Sequence, residues 1–202
     1  YIALTERASL RAGESVLVTG ASGGIGLATI QLAKAFGATV LAATSDPTKF
    51  DAVRRAGADH TIDLSMTPLS DGLRDEVYAV TGGKGVDVVL DVVGGQVFDA
   101  SLRALAFGGR IVVLGFTSSE IPNIKSNYLL LKNIAAVGMT INGYFSKKPE
   151  IVSTAHIAIS DLWRQGKIKP HIHAKIPLSE FAEAFDMLES RKVVGKVVMS
   201  LE

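Results

Sequence analysis

Cysteine is absent from the 202 residues, which removes disulfides and thiolate metal ligands and is compatible with a reducing compartment. No apolar run approaches the roughly 18 residues of a membrane-spanning helix, and the first residues lack a secretory signal pattern. A soluble, cytoplasmic protein is therefore expected. Neither sign of charge dominates: 21 Lys and Arg face 20 Asp and Glu, spread along the chain. That balance gives no electrostatic reason to expect nucleic acid or an anionic membrane as a partner. Repeats and low-complexity tracts are also missing. An initiator methionine is missing too: the chain opens at Tyr1 directly into a helical pattern, Ile2-Ala3-Leu4 then Ala8 and Leu10, as though cut inside a longer protein.

What is present is enough for a generous core, with 48% hydrophobic and 20% charged residues. Apolar runs alternate with helical periodicity, the pattern of strand-helix-strand units on a parallel sheet. Six strands are predicted: Ser15 to Thr19, Thr39 to Ala43, His60 to Ile62, Val86 to Asp91, Arg110 to Leu114 and Ile134 to Met139. Ile111-Val112-Val113-Leu114 reads as a strand buried on both faces. Ile25, Ala28, Leu32 and Ala35 recur at helical spacing before Gly37. Asp46 and Pro47 open a second helix that Gly57 closes. A later helix covers Pro149 to Gln165. Lys167 to Pro170 then lead through an extended segment to a helix at Ser179 to Glu189 and a strand at Gly195 to Leu201. The fold class is α/β, a Rossmann-type doubly wound six-stranded sheet, with a boundary expected between 1–168 and 169–202.

Chemistry is written first in Thr19-Gly20-Ala21-Ser22-Gly23-Gly24-Ile25-Gly26, between the first strand and the first helix. Glycines there let main-chain N–H groups approach a pyrophosphate at the positive end of the helix, so Ala21, Ser22, Gly23, Gly24 and Ile25 are candidate dinucleotide ligands. An NAD-selective site places an acid at the end of the second strand. Here Thr44-Ser45 stand at that point, Asp46 reads as a helix cap, and Lys49 can reach a 2′-phosphate, so NADP(H) is expected, held by Ser45 and Lys49. Val93 and Gly94 after the fourth strand, and Leu114, Gly115 and Phe116 after the fifth, are candidates for the nicotinamide half. His171 and His173 alternate as on one strand face without a third ligand; no metal site, hydrolase triad or catalytic residue is assigned.

Further pieces accompany that turn: Gly13-Glu14-Ser15-Val16-Leu17-Val18, Gln31-Leu32-Ala33-Lys34, Gly57-Ala58-Asp59-His60, Gly85-Val86-Asp87-Val88-Val89, Ser101-Leu102-Arg103-Ala104-Leu105 and Leu129-Leu130-Leu131-Lys132-Asn133. In order and spacing the chain resembles the medium-chain dehydrogenase/reductase superfamily, in its zinc-independent quinone oxidoreductase branch. The resemblance implies a six-stranded cofactor domain that follows a GroES-like catalytic domain, to which the C-terminal helix and strand return. It also implies hydride transfer from NADPH to quinones or activated enones. Synthase enoylreductase domains are similar but usually carry Lys where Phe116 stands, and relatives commonly have Tyr where Leu64 stands. Two other readings stay open. Tyr128 and Lys132 match the Tyr-x-x-x-Lys spacing of short-chain dehydrogenases, and a non-catalytic NADPH-binding protein would share the glycine turn. The sixth strand, Asn133 to Met139, falls at a sheet edge and is apolar, so a homodimer through it is expected. The alternative is a monomer whose Tyr144 to Pro149 loop folds over that edge.

Overall fold

The computed structural model describes residues 1–201. Strands β1 (Ser15–Val18), β2 (Thr39–Thr44), β3 (His60–Asp63), β4 (Val86–Asp91), β5 (Leu105–Val113) and β6 (Ala135–Gly138) form one parallel sheet, ordered β3-β2-β1-β4-β5-β6. The winding reverses between β1 and β4, as expected of a doubly wound Rossmann sheet, and this opens a crevice above their carboxyl ends. Helices α1 (Gly24–Ala35), α2 (Phe50–Arg55), α3 (Leu69–Val80), α4 (Gly95–Ala104) and α5 (Ser126–Lys132) lie between successive strands.

Alternation along β1 explains why helices must cover both faces. Val16 and Val18 point to one side and Leu17 to the other, and all three are essentially inaccessible. Val16 and Val18 pack with Val40, Ala42, Val88 and Leu90 beneath Leu27, Ile30 and Ala33 of α1. Leu17 joins Leu41, Ala43, Val89 and Ile111 on the opposite face, closed by Leu73 and Val77 of α3 and by Phe98 and Leu102 of α4. Each such side chain contributes roughly 1.5–3 kcal/mol on burial. A polar residue at any of these strand positions would have no wet face to turn to.

Several elements depart from expectation. The N-terminal pattern yields only a π-type turn at Ala3–Arg7, which buries Leu4. β5 begins at Leu105 rather than Arg110, running straight out of α4 with a register shift against β4. Gly108 and Gly109 had hidden this first half, because glycine carries no side chain to pack on a pleated surface. Residues expected as a loop from Tyr144 to Pro149 lie mostly in helix α6 (Ile141–Lys147), directly followed by α7 (Pro149–Arg164). Beyond it, β7 (Ile172–Pro177) and β8 (Lys196–Ser200) pair in parallel as a separate two-stranded sheet, joined through α8 (Phe181–Glu189). Phe181 and Phe185 of α8 and Met199 of β8 remain exposed.

Arg110 ties the N-terminal segment to the sheet. Its Nε donates to the Ala8 carbonyl at 2.6 Å, and its two terminal nitrogens grip both Glu14 oxygens at 2.7 Å each. The Arg110 hydrogen bond holds the Glu14 carboxyl below the usual glutamate range, more strongly than partial burial pushes it up. A depressed native pKa adds stability above the unfolded value, and this is lost as pH falls through the native one. Glu14→Gln should therefore reduce stability at neutral pH by about 1–2 kcal/mol. Urea unfolding at a series of pH values should show the gap to wild type narrowing below about pH 4. A constant gap across that range would contradict the assignment.

Candidate cofactor site

The glycine turn leaves β1 and enters α1 with no room for a side chain at position 26, and with a lysine lying close over position 24. A methyl group at position 26 would lie 2.5 Å from the Ala21 carbonyl oxygen, a backbone atom that cannot step aside. At position 24 it would collide with the Lys196 side chain, whose Nζ would be 2.9 Å away. Ala21 is pinned by its N–H to the Ala43 carbonyl at 3.0 Å, and the Gly23 N–H closes onto Gly20 at 3.1 Å. Helix α1 has neither a side-chain cap nor an acid in its first turn. The N–H groups of Gly24, Ile25 and Gly26 therefore retain the unsatisfied donors and partial positive charge of a helix start. Gly23 and Ile25 are exposed, whereas Ala21 and Ser22 are buried beneath them. Of the five residues proposed for the pyrophosphate, all sit on this one turn.

The end of β2 is uncharged where it meets the turn. Thr44 is buried and its hydroxyl lies 3.4 Å from that of Ser22. Ser45 is exposed one position further on. Asp46 acts as a cap, accepting from Thr48 N at 3.1 Å and from the Thr48 hydroxyl at 2.6 Å. Its carboxyl is held below the ordinary aspartate range chiefly by that hydroxyl. Lys49 is only 12% exposed in its side chain, and its Nζ donates to the carbonyls of Arg191 and Val193. The sequence alone offers no sign of this tie across more than 140 residues.

Above β4 and β5 the other candidates converge. A Cβ on Gly94 would stand 3.0 Å from the Phe116 ring, and one on Gly20 would stand 3.4 Å from a Val93 methyl. Leu114 and Gly115 are half-buried at the carboxyl end of β5, and Phe116 is 40% exposed. The glycine turn, Val93, Gly94 and Phe116 thus share one crevice. Two residues that sequence reasoning passed over also belong here. Asp91, the last residue of β4, is fully buried. Desolvation raises its carboxyl above the usual range despite bonds from Thr19, Val93 and Gly94. Its signal was an acid at the end of an otherwise apolar run. Lys196 arrives from β8, where the Gly195 N–H donates to the Ser22 carbonyl at 2.9 Å. Nothing local marked it.

With this geometry in place, comparison with known proteins decides the family. A family model described as zinc-binding dehydrogenase matches residues 24–156. The chain belongs to the zinc-binding dehydrogenase family. It is 41% identical over 202 residues to quinone oxidoreductase-like protein 2 of Mus musculus, covering all of this chain and 57% of that protein. A homolog of that protein in Nematostella vectensis is 39% identical over 202 residues, covering 99% of this chain and 54% of that one. The NADPH complex of a mycobacterial protein superposes with a TM-score of 0.89 at 29% identity, covering 99% of this chain and 60% of that one. The chain therefore spans just over half the length of the curated relatives it matches. These likenesses agree with the resemblance to the quinone oxidoreductase branch of the medium-chain dehydrogenase/reductase superfamily.

The family is named for zinc, but the residues of this chain do not fit such a site. It has no cysteine, and among the described residues no group of three His, Asp or Glu side chains is placed to hold a metal ion. His171 and His173 are both exposed. The Tyr128 and Lys132 spacing belongs to a different location from the crevice. Lys132 Nζ donates to the carbonyls of Arg103 and Leu105, at 2.6 and 2.9 Å. Leu105 pairs with Val86 at the amino ends of their strands, opposite the glycine turn. Lys132 is a cap for α4, at the opposite end of the sheet from the crevice.

Gly26→Ala tests the turn directly. The new methyl would push α1 off β1, so differential scanning fluorimetry should show a melting temperature lowered by several degrees. Retention of both stability and dinucleotide affinity would mean that the close approach does not govern the site.

Proposed function

We propose that this chain is the NADP(H)-binding portion of a reductase that passes hydride to quinones or activated enones. The observation that carries the reading is the uncapped, acid-free start of α1, brought down against the Gly20 and Ala21 backbone where position 26 has no Cβ. That arrangement fits a pyrophosphate. Gly24 and Ile25 would donate main-chain N–H groups to it, beside the exposed Gly23 and over a floor made by Ala21 and Ser22. The Lys196 ammonium, already beside Gly24, would offset part of its charge. Without an acid at the end of β2, Ser45 and Lys49 are left to accept a 2′-phosphate, for which Lys49 would exchange the carbonyls of Arg191 and Val193. Val93, Gly94, Leu114, Gly115 and Phe116 would flank the nicotinamide half.

When bound, NADPH supplies the hydride; the protein's residues orient it and keep water from it. No side chain of this chain is assigned to acid or base work. Phe116 and Val93 offer apolar surface to an electron-poor acceptor, and the exposed apolar residues of α8 and β8 suit a face packed against an upstream domain that would complete the cleft. Calorimetric titration should give Lys49→Ala a loss of about 10- to 100-fold for NADPH, as for removal of one charge-assisted bond, with NADH affected much less. Equal losses would refute the 2′-phosphate role. Turnover of a simple quinone by the full-length protein separates a reductase from a protein that only holds NADPH.

Assembly through β6 belongs to the same proposal. β6 is the sheet edge, and Leu130 and Leu131 of the preceding α5 are about three-quarters exposed. Met139 N donates to Val113 O at 3.0 Å, so by alternation the Val137 N–H also faces β5, while Ala136 and Gly138 face outward. Ala136→Pro removes an outward donor and spares the inner ladder. Sedimentation should report a dimer for the parent chain and a monomer for this variant. A parent that is monomeric at micromolar concentration would end the proposal.

A further inference from the structure

Asp91 is a fully buried carboxylate that the proposed chemistry does not use. Among the described residues no cation lies within ion-pair distance of it; its partners are all neutral donors. Oδ1 accepts from the Thr19 hydroxyl at 2.6 Å and from Val93 N at 3.2 Å, and Oδ2 accepts from Gly94 N at 3.0 Å. Thr19 is the last residue before the glycine turn, and its oxygen also receives Val92 N at 3.3 Å. The backbone of this loop is bound in turn to the end of β5. Leu114 N donates to Asp91 O at 2.8 Å, Thr117 N to Val92 O and Ser118 N to Val93 O, both at 3.0 Å. One side chain therefore joins the carboxyl ends of β1 and β4, and a short loop ladder carries the tie on to β5.

Packing alone does not call for a carboxylate here, because burying a charge without a counter-ion is unfavourable. Hydrogen-bond capacity does. A carboxylate accepts on both oxygens, whereas an isosteric amide accepts on one and donates from the other. If an Asn placed its oxygen toward Thr19 and Val93, its NH2 would face the Gly94 N–H; in the flipped orientation it would face the Val93 N–H. Either way one buried backbone donor loses its acceptor. Gly94 has a backbone φ of 79°, a conformation that needs such support to be held in one place.

We propose that Asp91 is a positioning residue that fixes the Val93-Gly94 loop relative to the Thr19-Gly20 turn, and so sets the alignment of the nicotinamide half of the cofactor against its phosphate half. This rests on the proposed NADP(H) reading. It predicts a loss confined to one end of the ligand. The turn keeps its own ties to Ala43 and Gly195 when Asp91 changes, so the phosphate end should remain competent.

The test compares NADPH with adenosine 2′,5′-bisphosphate, which lacks the nicotinamide half, by calorimetry on wild type, Asp91→Asn and Thr19→Val. Wild type should bind NADPH more tightly than the bisphosphate. Asp91→Asn should lose about 10- to 100-fold for NADPH. Its affinity for the bisphosphate should change less than about twofold, within the scatter of an uncoupled site. Thr19→Val removes only the side-chain link and keeps the shape, so it should show the same NADPH-selective loss at smaller size even if Asp91→Asn folds poorly. Equal losses for both ligands, or no loss for either, would overturn the positioning role. A wild type that binds neither ligand would instead overturn the cofactor reading itself.

Discussion

Helix α1 starts where it does because position 26 has no Cβ. The helix axis can then come down against the Gly20 and Ala21 backbone, which leaves its first N–H groups above the end of β1 rather than over a neighbouring strand. Everything else in the crevice is placed relative to that point. Leu27, Ile30 and Ala33 reach the Val16, Val18 and Val88 side of the sheet from the same helix, so the contact that frees the donors also seals half of the core. Binding geometry and stability share one constraint here. A substitution at Gly26 cannot damage one and leave the other whole.

The electrostatics follow a division between floor and rim. The floor is neutral and hydroxylic: Ser22 and Thr44 meet beneath the turn, and Thr19 closes it on the β4 side. The cations stand at the rim, Lys49 from the start of α2 and Lys196 from β8. Neither is local to the turn, and both are fixed by tertiary contact: Lys49 by two carbonyls of the 191–193 segment, Lys196 by the pairing of its strand. An acid at the end of β2 would compete with this arrangement for a phosphate. Asp46 stands just beyond that point: its Oδ1 is engaged with Thr48, and its Oδ2 lies 3.9 Å from Lys49 Nζ. Among the described residues the one buried acid, Asp91, has its oxygens turned toward backbone and hydroxyl donors.

What could be read in the sequence follows from how each residue is buried. β1, β2 and β4 were legible because burial on both faces forces uninterrupted apolar runs such as Val88-Val89-Leu90. The glycine turn was legible because its spacing is dictated by backbone contact rather than by distant partners. The first half of β5 was not, since Gly108 and Gly109 interrupt the run while pairing with β4 continues on either side of them. α3 and α4 escaped notice for a related reason. Gly72 lies inside α3 and packs against Met66, and α4 opens on glycines, both features that weaken a helical pattern. The resemblance to a family supplied the order of the sheet, but not the side chains that cross between segments.

Those crossings bear on how the chain is divided. The Lys167 to Pro170 stretch suggests a boundary near residue 168, and the segment beyond it is bound back to the sheet and its first helix at four places. Lys169 N meets the Gln31 side chain, Gly195 N meets Ser22 O, Lys196 lies over Gly24, and Lys49 holds the carbonyls of Arg191 and Val193. Three of these contacts involve residues proposed to touch the cofactor. A Lys49 that turns to a 2′-phosphate must release part of the C-terminal segment, while a phosphate drawn to Lys196 would hold the same segment closed. The two lysines thus act on one element in opposite senses. On the proposed reading, occupation of the crevice and the setting of the 191–196 segment would be a single equilibrium, and cofactor affinity would carry the free energy of rearranging that segment as well as that of its own contacts.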